Sequence, residues 1–404
     1  MPHDAAGGRA RAAKARMKPL AYGAQPLVPG VRSRFVDGVN GLTMHVLEAG
    51  EPGRPLVLLL HGFPELAYSW RHQMPTLAAA GWHVVAPDQR GYGRTTGWEA
   101  CYDGELAPFR LFNLAKDMLA LVRALGRALR GAQGVSAAQS QAVVVGHDFG
   151  SFVAACCALI RPDIFRAVTL MSAPFAGPPA LGAPGRADPS AALAALNPPR
   201  QHYQWYFSSR RADHDMHHPA HPLLGLHAFL RAYYHVKSAD WAGNRPHPLA
   251  TAAAEHLARL PGYYVMPLGA TMPAAVAADA QGMDAAAAAR WLPEADLDVY
   301  TTEFARTGFQ GALNWYRCIT DAAQMAELQM YDGMRIEVPA CYIAGASDWG
   351  IHQAPGVFEL MQSVVCTRWQ GAHLVPGAGH WVQQEQPEAT NVLLLDFLSR
   401  CAPA

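Results

Sequence analysis

Short, largely apolar runs, each followed within two residues by a glycine or a proline, constrain the fold of this chain most. They are found at residues 56–60 (LVLLL), 82–86 (WHVVA) and 142–145 (AVVV). A strand that is apolar on both faces is typical of a parallel sheet that helices cover on both sides. The stretches 111–125 and 151–160 have helical patterns and alternate with such runs. This alternation predicts an α/β protein with a doubly wound, mostly parallel sheet.

The character of the sequence changes between residues 176 and 336. Strand patterns vanish there, and helical patches are broken by proline and glycine. We predict helices in four patches, at 223–235, 249–259, 294–306 and 309–327. Beyond Pro339 the α/β rhythm returns. An all-helical insertion of this kind predicts a lid over the carboxyl ends of the strands, where open α/β sheets bind their ligands. The predicted division is a core of residues 31–175 and 337–404, with a lid of residues 176–336 between them.

Residues 1–30 begin with a basic stretch, since five lysines and arginines fall within the first 18 residues. We predict that this segment is a disordered basic tail. Two alternatives are an upstream extension of a chain whose working start is Met17, and an organellar transit segment.

Charge and cysteine content narrow the partners and the location. Lys plus Arg and Asp plus Glu balance at 32 each, and no basic stripe is present beyond the tail, so nucleic acid is not an expected partner. The seven cysteines contain no CxxC pair, which favours free thiols in a reducing compartment over disulfides or a zinc site. No run reaches the roughly 18 apolar residues of a membrane span. We predict a cytoplasmic location, and the sequence leaves the oligomeric state open.

The pentapeptide GHDFG, residues 146–150, stands between a predicted buried strand and a predicted helix. Its two glycines permit a sharp strand-to-helix turn that points the side chain of Asp148 out at the end of the sheet. The pattern has the form of a nucleophile elbow with aspartate in place of the more common serine. Taken alone, it is equally well explained as a glycine-rich turn with an aspartate that caps a helix.

Two later segments supply partners for Asp148. Asp348, in GASDW, follows a predicted strand, and His380, in GAGHW, follows the last predicted strand. The chain order of nucleophile, acid and histidine belongs to this architecture, and the three loops are expected at one edge of the sheet. The backbone N–H groups of Phe63, in HGFPE, and of Phe149 are candidates for an oxyanion hole.

In combination, the motifs HGFPE, DQRGYGR, GHDFG, ASD and GHW resemble those of the α/β-hydrolase-fold epoxide hydrolases, from about residue 33 to the C-terminus. The haloalkane and haloacid dehalogenases are near relatives that share most of these motifs. The resemblance implies two functional lid tyrosines, which are Tyr316 in LNWYR and Tyr203 in YQWYF, with Tyr206 as the alternative to Tyr203. Many dehalogenases have a tryptophan directly after the nucleophile, and fluoroacetate-cleaving relatives have an arginine, whereas this chain has Phe149.

The resemblance implies the hydrolysis of an epoxide to a vicinal diol. Asp148 would attack an epoxide carbon while the two phenols donate to the oxygen that leaves as an alkoxide. His380, oriented by Asp348, would then activate water to hydrolyse the resulting alkyl ester. No cofactor and no metal is expected. The alternatives are a dehalogenase, which would release halide, and a non-catalytic binding protein of the same fold.

The expected partners are a small apolar epoxide and water. Candidates for apolar contact with the substrate are Pro64, Trp205, Trp349 and Trp381. A histidine cluster in the lid, from His214 to His221, is predicted to be a solvated loop rather than a metal site, because Pro219 and Pro222 interrupt any helix that would present ligands.

Overall fold

A computed structural model of the chain describes residues 19–23, 25–133, 141–185, 187–218 and 225–401. The strands are β1 (Val31–Val39), β2 (Leu42–Ala49), β3 (Leu56–Leu60), β4 (His83–Pro87), β5 (Ala142–His147), β6 (Phe165–Met171), β7 (Arg200–His202), β8 (Val265–Pro267), β9 (Ile336–Gly345) and β10 (Cys366–Val375). Eight of them form one sheet in the order β1-β2-β4-β3-β5-β6-β9-β10.

The large sheet is antiparallel at one edge and parallel elsewhere. β1 pairs with β2, and β2 with β4, in antiparallel fashion, and the other five pairings are parallel. This confirms the predicted doubly wound, mostly parallel sheet. β3, β4 and β5 are buried along their whole length, as expected for strands covered by helices on both faces. β1 was not predicted, because an edge strand that is only half buried carries polar residues on its exposed positions.

Helices cover both faces of the sheet and make up most of the insertion. They are α1 (Gln73–Ala79), α2 (Leu111–Gln133), α3 (Phe149–Ile160), α4 (Ser190–Ala194), α5 (Tyr203–Phe207), α6 (Ala212–His217), α7 (Leu226–Lys237), α8 (Ala254–Leu257), α9 (Met272–Asp279), α10 (Ala285–Trp291), α11 (Glu294–Thr307), α12 (Gln310–Thr320), α13 (Ala322–Met325), α14 (Val357–Leu360), α15 (Val382–Glu385) and α16 (Pro387–Cys401). α2 continues past residue 125, where the sequence pattern ended it.

The prediction that the insertion is all-helical is wrong in one respect. β7 and β8 pair as a separate antiparallel ribbon, in which Gln201 lies opposite Met266. Three-residue strands are too short to show the alternation from which strands are predicted. The patch predicted at 249–259 contains only the four residues of α8, and the patch at 309–327 is divided at Asp321, whose carboxylate accepts the Ala323 N–H and caps α13.

The part of the predicted tail that the structure describes packs against the core. The Tyr22 N–H donates to Ser33 Oγ at 2.8 Å, and the guanidinium carbon of Arg94 lies 3.5 Å from the centroid of the Tyr22 ring. Disorder was therefore the wrong prediction for this part of residues 1–30. Residues 1–18 and residue 24 lie outside the described ranges.

Candidate active site

Asp148 stands on a strained turn between β5 and α3. Its backbone φ is +53°, in a region that residues other than glycine rarely adopt. Such a conformation typically costs about 1–3 kcal/mol of conformational energy. The flanking glycines make the turn possible: a Cβ on Gly146 would lie 2.1 Å from the Gly150 carbonyl oxygen, and one on Gly150 would lie 2.4 Å from that of Leu60. The helix therefore starts directly beside the sheet, and Asp148 is fixed at the sheet's carboxyl edge.

The two carboxylate oxygens of Asp148 have different surroundings. The Phe63 N–H donates to Oδ1 at 2.9 Å, and His380 Nε2 lies 3.2 Å from Oδ2. Burial alone would raise the pKa of Asp148, but the hydrogen bond and charge of His380 outweigh it and hold that pKa well below its ordinary value. Within the described residues, no hydrogen bond joins the Phe149 amide to this carboxylate, although Phe149 is the first residue of α3.

His380 and Asp348 form the expected buried pair at the same edge. His380 Nδ1 lies 3.1 Å from Asp348 Oδ1, which also accepts the Gly350 N–H at 2.7 Å. Burial opposes ionisation of Asp348, yet the charge and hydrogen bond of His380 keep the pKa of Asp348 below its ordinary value. The structure thus brings Asp148, His380 and Asp348 together as a continuous chain of contacts.

A second buried pair lies behind His380, and the sequence analysis gave it no role. His147 Nδ1 lies 2.6 Å from Glu65 Oε2, and His147 Nε2 lies 2.7 Å from the His380 carbonyl oxygen. Burial lowers the pKa of His147, but the charge and hydrogen bond of Glu65 outweigh it, so the net shift is upward. Both residues belong to motifs named above, Glu65 to HGFPE and His147 to GHDFG. Two ionisable residues beside apolar runs were the feature of the sequence that could have indicated a buried pair.

The two predicted lid tyrosines face each other across from the nucleophile, with ring centroids 6.0 Å apart. The Tyr203 hydroxyl donates to Gln353 Oε1 at 3.0 Å and accepts from Gln204 Nε2 at 3.1 Å. The Tyr316 ring packs edge-on against Phe149 at 5.4 Å, and its hydroxyl makes no hydrogen bond to any residue that the structure describes. Burial, reinforced by the negative charge of Asp148, raises the pKa of Tyr316 well above its ordinary value.

A cavity of about 140 Å³ lies between these tyrosines and Asp148. It is lined by Asp148, Phe149, Phe152, Ala173, Pro174, Tyr203, Gln204, Tyr316, Ile319, Gly350, Gln353 and Ala354. Core and lid segments both contribute to this lining. Apolar side chains form one part of the wall, and two glutamines and two phenols form another.

None of the four predicted apolar contacts lines this cavity: Pro64, Trp205, Trp349 and Trp381. The Trp381 indole N–H donates to the Tyr234 carbonyl oxygen at 2.8 Å, and the Trp349 ring packs edge-on against His247. The tryptophan-rich lining expected from the sequence is therefore absent around this cavity, and contact of these residues with substrate stays a prediction.

Two further predictions concern the segment after α5. The hydroxyl of Tyr206, the alternative to Tyr203, donates to Asp215 Oδ2 at 3.0 Å, away from the cavity. In the histidine cluster, His214 and His217 lie on α6, and His218 follows it. The remaining members of the pattern, His221, Pro219 and Pro222, lie outside the described residues.

Comparison with known proteins decides the family. A family model described as alpha/beta hydrolase fold matches residues 55–246. The chain is 35% identical over 395 residues to Epoxide hydrolase B of Mycobacterium tuberculosis, covering 90% of this chain and 97% of that protein. It is 31% identical to an epoxide hydrolase of Caballeronia sordidicola, with 89% and 91% covered. The chain belongs to the epoxide hydrolases of the α/β-hydrolase fold.

Solved structures agree with this assignment. The structure of an epoxide hydrolase from an endophytic Streptomyces matches this epoxide hydrolase with a TM-score of 0.71 at 34% identity, and the match covers 92% of this chain and 96% of the other. That of potato epoxide hydrolase I matches with a TM-score of 0.68 at 28% identity, with 92% and 99% covered. Within the described residues of this epoxide hydrolase, no helix is both long and apolar enough to cross a membrane.

Proposed function

We propose that this epoxide hydrolase forms a covalent ester on Asp148 and then hydrolyses it. One observation carries the proposal, which is the unequal environment of the two Asp148 oxygens. Oδ1 accepts the Phe63 N–H at 2.9 Å, whereas Oδ2 lies 3.2 Å from His380 Nε2, at a cavity that two lid phenols also line. One oxygen is therefore held by the backbone, and the other lies beside His380 and is the one we propose for attack.

In the first half-reaction, Asp148 Oδ2 attacks an epoxide carbon from the face opposite the ring oxygen. The electron pair of the broken C–O bond stays on that oxygen, which accepts a proton from Tyr316 or Tyr203. The low pKa of Asp148 supports this role, because the carboxylate is ionised at neutral pH without the help of a base. The high pKa of Tyr316 keeps its hydroxyl protonated until a strongly basic alkoxide develops nearby.

In the second half-reaction, His380 takes a proton from a water molecule that attacks the carbonyl carbon of the Asp148 ester. Asp348 orients the imidazole through Nδ1 and stabilises its positive charge. The Phe63 N–H already contacts Oδ1, which becomes the oxyanion of the tetrahedral intermediate. Phe149, at the first position of α3, is proposed as the second amide donor. Collapse of the tetrahedral intermediate breaks the bond between its carbon and the alkyl oxygen, and that oxygen leaves as the second hydroxyl of the diol with the remaining proton of the attacking water. Asp148 is then a carboxylate again, and the proton on His380 neutralises the phenolate left by the first half-reaction. Every step uses a protein group or water.

The size of the cavity supports a small, mainly apolar epoxide as the substrate. Its volume of about 140 Å³ is below the roughly 300–1,000 Å³ of sites that enclose drug-sized ligands. We also propose that residues 176–336 act as the lid and the flanking segments as the core, which agrees with the contributions of both to the cavity. Free thiols at all seven cysteines support the proposed cytoplasmic location.

The origin of the product oxygen tests the covalent scheme. A single turnover in ¹⁸O-water, with the enzyme in excess over styrene oxide, should give a largely unlabelled diol and enzyme that carries the heavy atom in Asp148. The reason is that the new C–O bond comes from Asp148, and water replaces that oxygen only when the ester is hydrolysed. Mass spectrometry of the diol and of the peptide containing residue 148 measures both.

Direct attack by water predicts the opposite labelling, with a fully labelled diol from the first turnover and an unlabelled peptide. Repeated turnovers provide the control, since each cycle passes on the oxygen installed in the cycle before and labels the diol progressively. A labelled first-turnover diol would remove Asp148 from the role of nucleophile.

A further inference from the structure

Lys237, the last residue of α7, is a basic residue buried beside the proposed active site and only 3% exposed. Its Nζ lies 5.0 Å from the ring centroid of Tyr264, 5.3 Å from that of Trp381, 5.4 Å from that of Tyr233 and 5.9 Å from that of Tyr263. We call these four rings the aromatic box. Within the described ranges, Nζ makes no hydrogen bond and no ion pair.

The stability of the fold does not explain why the ammonium group of Lys237 is buried among four aromatic rings. A buried ammonium group without a carboxylate partner is unfavourable, and ring faces offset only part of the lost hydration. An apolar side chain of similar volume would be neutral or stabilising in such a place. A buried cation next to a cluster of reactive groups is therefore a candidate for a role in the reaction.

The aromatic box adjoins both sides of the proposed site. On the sheet side, the His380 N–H donates to the Lys237 carbonyl oxygen at 2.8 Å, and Trp381 directly follows His380. On the lid side, the Tyr264 ring packs 5.0 Å from the Tyr203 ring, and the Tyr264 carbonyl oxygen accepts the Tyr203 N–H at 2.9 Å. The Lys237 backbone thus contacts His380 directly, and Tyr264 separates the Lys237 side chain from Tyr203.

Electrostatic interactions connect Lys237 with the carboxylates without contact. Burial lowers the pKa of Lys237, and the negative charges of Asp148, Asp348 and Glu65 act against that shift. In return, the charge of Lys237 contributes to the low pKa of both Asp148 and Asp348. Lys237 is buried, so the interaction is screened less than it would be at the surface.

We propose that Lys237 is a positioning residue that stabilises the negative charge of the reaction through its electrostatic field. The inference rests on the proposed function. When the epoxide opens, negative charge leaves Asp148 for the ring oxygen, and it passes to Tyr203 or Tyr316 as that oxygen takes a phenolic proton. Lys237 forms no ion pair with Asp148, although its charge contributes to the low pKa of that carboxylate. Because Lys237 lies behind Tyr264, whose ring packs against Tyr203, its field also acts on negative charge that reaches Tyr203.

Replacing Lys237 by Met, which is uncharged, unbranched and one heavy atom shorter, tests the proposal. We expect Lys237→Met to slow ester formation roughly tenfold, less than the loss of a contacting donor, because the charge acts at a distance. Lys237→Arg, which keeps the charge, should stay within about threefold of the wild-type rate. Stopped-flow tryptophan fluorescence with excess styrene oxide measures ester formation, and thermal unfolding of Lys237→Met should occur at an unchanged or higher midpoint.

A double-mutant cycle locates the charge that Lys237 stabilises. Lys237→Met should slow ester formation less in a Tyr203→Phe background than in a Tyr316→Phe background, because Tyr203 is the phenol that packs against the aromatic box. Equal ester formation in wild type and Lys237→Met would overturn the proposal. So would a slow Lys237→Met variant with a lowered unfolding midpoint and no rescue in Lys237→Arg, since that result indicates a structural role. If wild type turns over styrene oxide without an ester, the covalent scheme fails, and the same comparison of the two variants is made on the overall rate.

Discussion

On the sheet side of the cavity, Asp148, Asp348 and His380 stand on turns after β5, β9 and β10, where backbone groups hold them. The Phe63 N–H binds Asp148, the Gly350 N–H binds Asp348, and the His380 N–H is bound by a carbonyl oxygen, all at 2.7–2.9 Å. On the lid side, Tyr203 and Tyr316 stand on the short helices α5 and α12 and are positioned by neighbouring aromatic rings and glutamines.

This difference predicts how strongly a substitution on each side should affect the reaction. A group held by backbone hydrogen bonds on a strained turn has one geometry, and losing it removes a chemical step. A ring held by packing keeps its place when only its hydroxyl is removed, because the packed surface is unchanged. Substitutions on the sheet side should therefore stop a half-reaction, and substitutions on the lid side should slow one.

The largest effect is expected at His380, on the sheet side. His380→Gln should lower steady turnover at least about a thousandfold, while ester formation continues, because the imidazole serves only the attack of water. Intact-protein mass spectrometry should show a stoichiometric adduct with the mass of the substrate. Asp348→Asn is the matched variant and should give a weaker version of the same arrest. An adduct-free His380→Gln protein, tested with an epoxide that wild type accepts, would contradict the separation into two half-reactions.

On the lid side we expect a smaller effect on the other half-reaction. Tyr203→Phe or Tyr316→Phe should each slow ester formation about a hundredfold, by analogy with a missing oxyanion donor, and leave the unfolding midpoint nearly unchanged. Tyr316→Phe should be the slower, because the Tyr203 hydroxyl already donates to Gln353 and must leave that partner to reach an epoxide. Single-turnover rates measure this order. Wild-type rates in the double variant would remove both phenols from the mechanism.

Gln353 provides a control for that order. Gln353→Leu removes the acceptor that lies 3.0 Å from the Tyr203 hydroxyl, and with it a hydrogen bond with a net energy of about 1 kcal/mol. Ester formation should change by only a few-fold, and the difference between Tyr203→Phe and Tyr316→Phe should narrow in this background. An unchanged difference would show that the hydrogen bond to Gln353 is not its cause.

The sheet side was also the more predictable from the sequence. Asp148, Asp348 and His380 each lie within five residues that carry their own structural signal, namely a buried strand, a glycine and a turn. The buried strands β3 and β5 were predicted for the same reason, since their apolar runs determine a local structure without reference to the rest of the chain.

The lid was predicted less well because its structure depends on contacts between distant segments. The ribbon of β7 and β8 joins residues 200–202 to residues 265–267, and neither segment alone has a strand pattern. Trp381 was expected to face the substrate, yet its indole N–H binds a carbonyl oxygen of α7, which no local motif indicates. Gln353 lines the cavity and binds Tyr203 from a different part of the chain. Such pairings are set by packing rather than by spacing along the sequence.

The smallest expected effect is on stability. An ionised carboxylate with hydrogen-bonding partners stabilises the fold, whereas one that is partly buried without them destabilises it. Asp148 and Asp348 have partners and lowered pKa values, whereas burial raises the pKa of Asp279, the last residue of α9. Its Oδ2 has no hydrogen bond within the described residues, and a negative charge at a helix C-terminus is unfavourable. Since the raised pKa means that the folded state disfavours the ionised form, Asp279 destabilises the fold above that pKa. The destabilisation disappears as pH falls towards the pKa of Asp279 in the unfolded chain.

Asp279→Asn should therefore increase the free energy of unfolding at pH 7 by less than about 1 kcal/mol, because solvent screens this half-buried group. Urea unfolding at pH 7 and near pH 4.5 measures the gain, which should shrink at the lower pH. A loss of stability at pH 7, or a gain that grows as pH falls, would show that Asp279 is stabilised in the lid in the same way as the carboxylates of the sheet side.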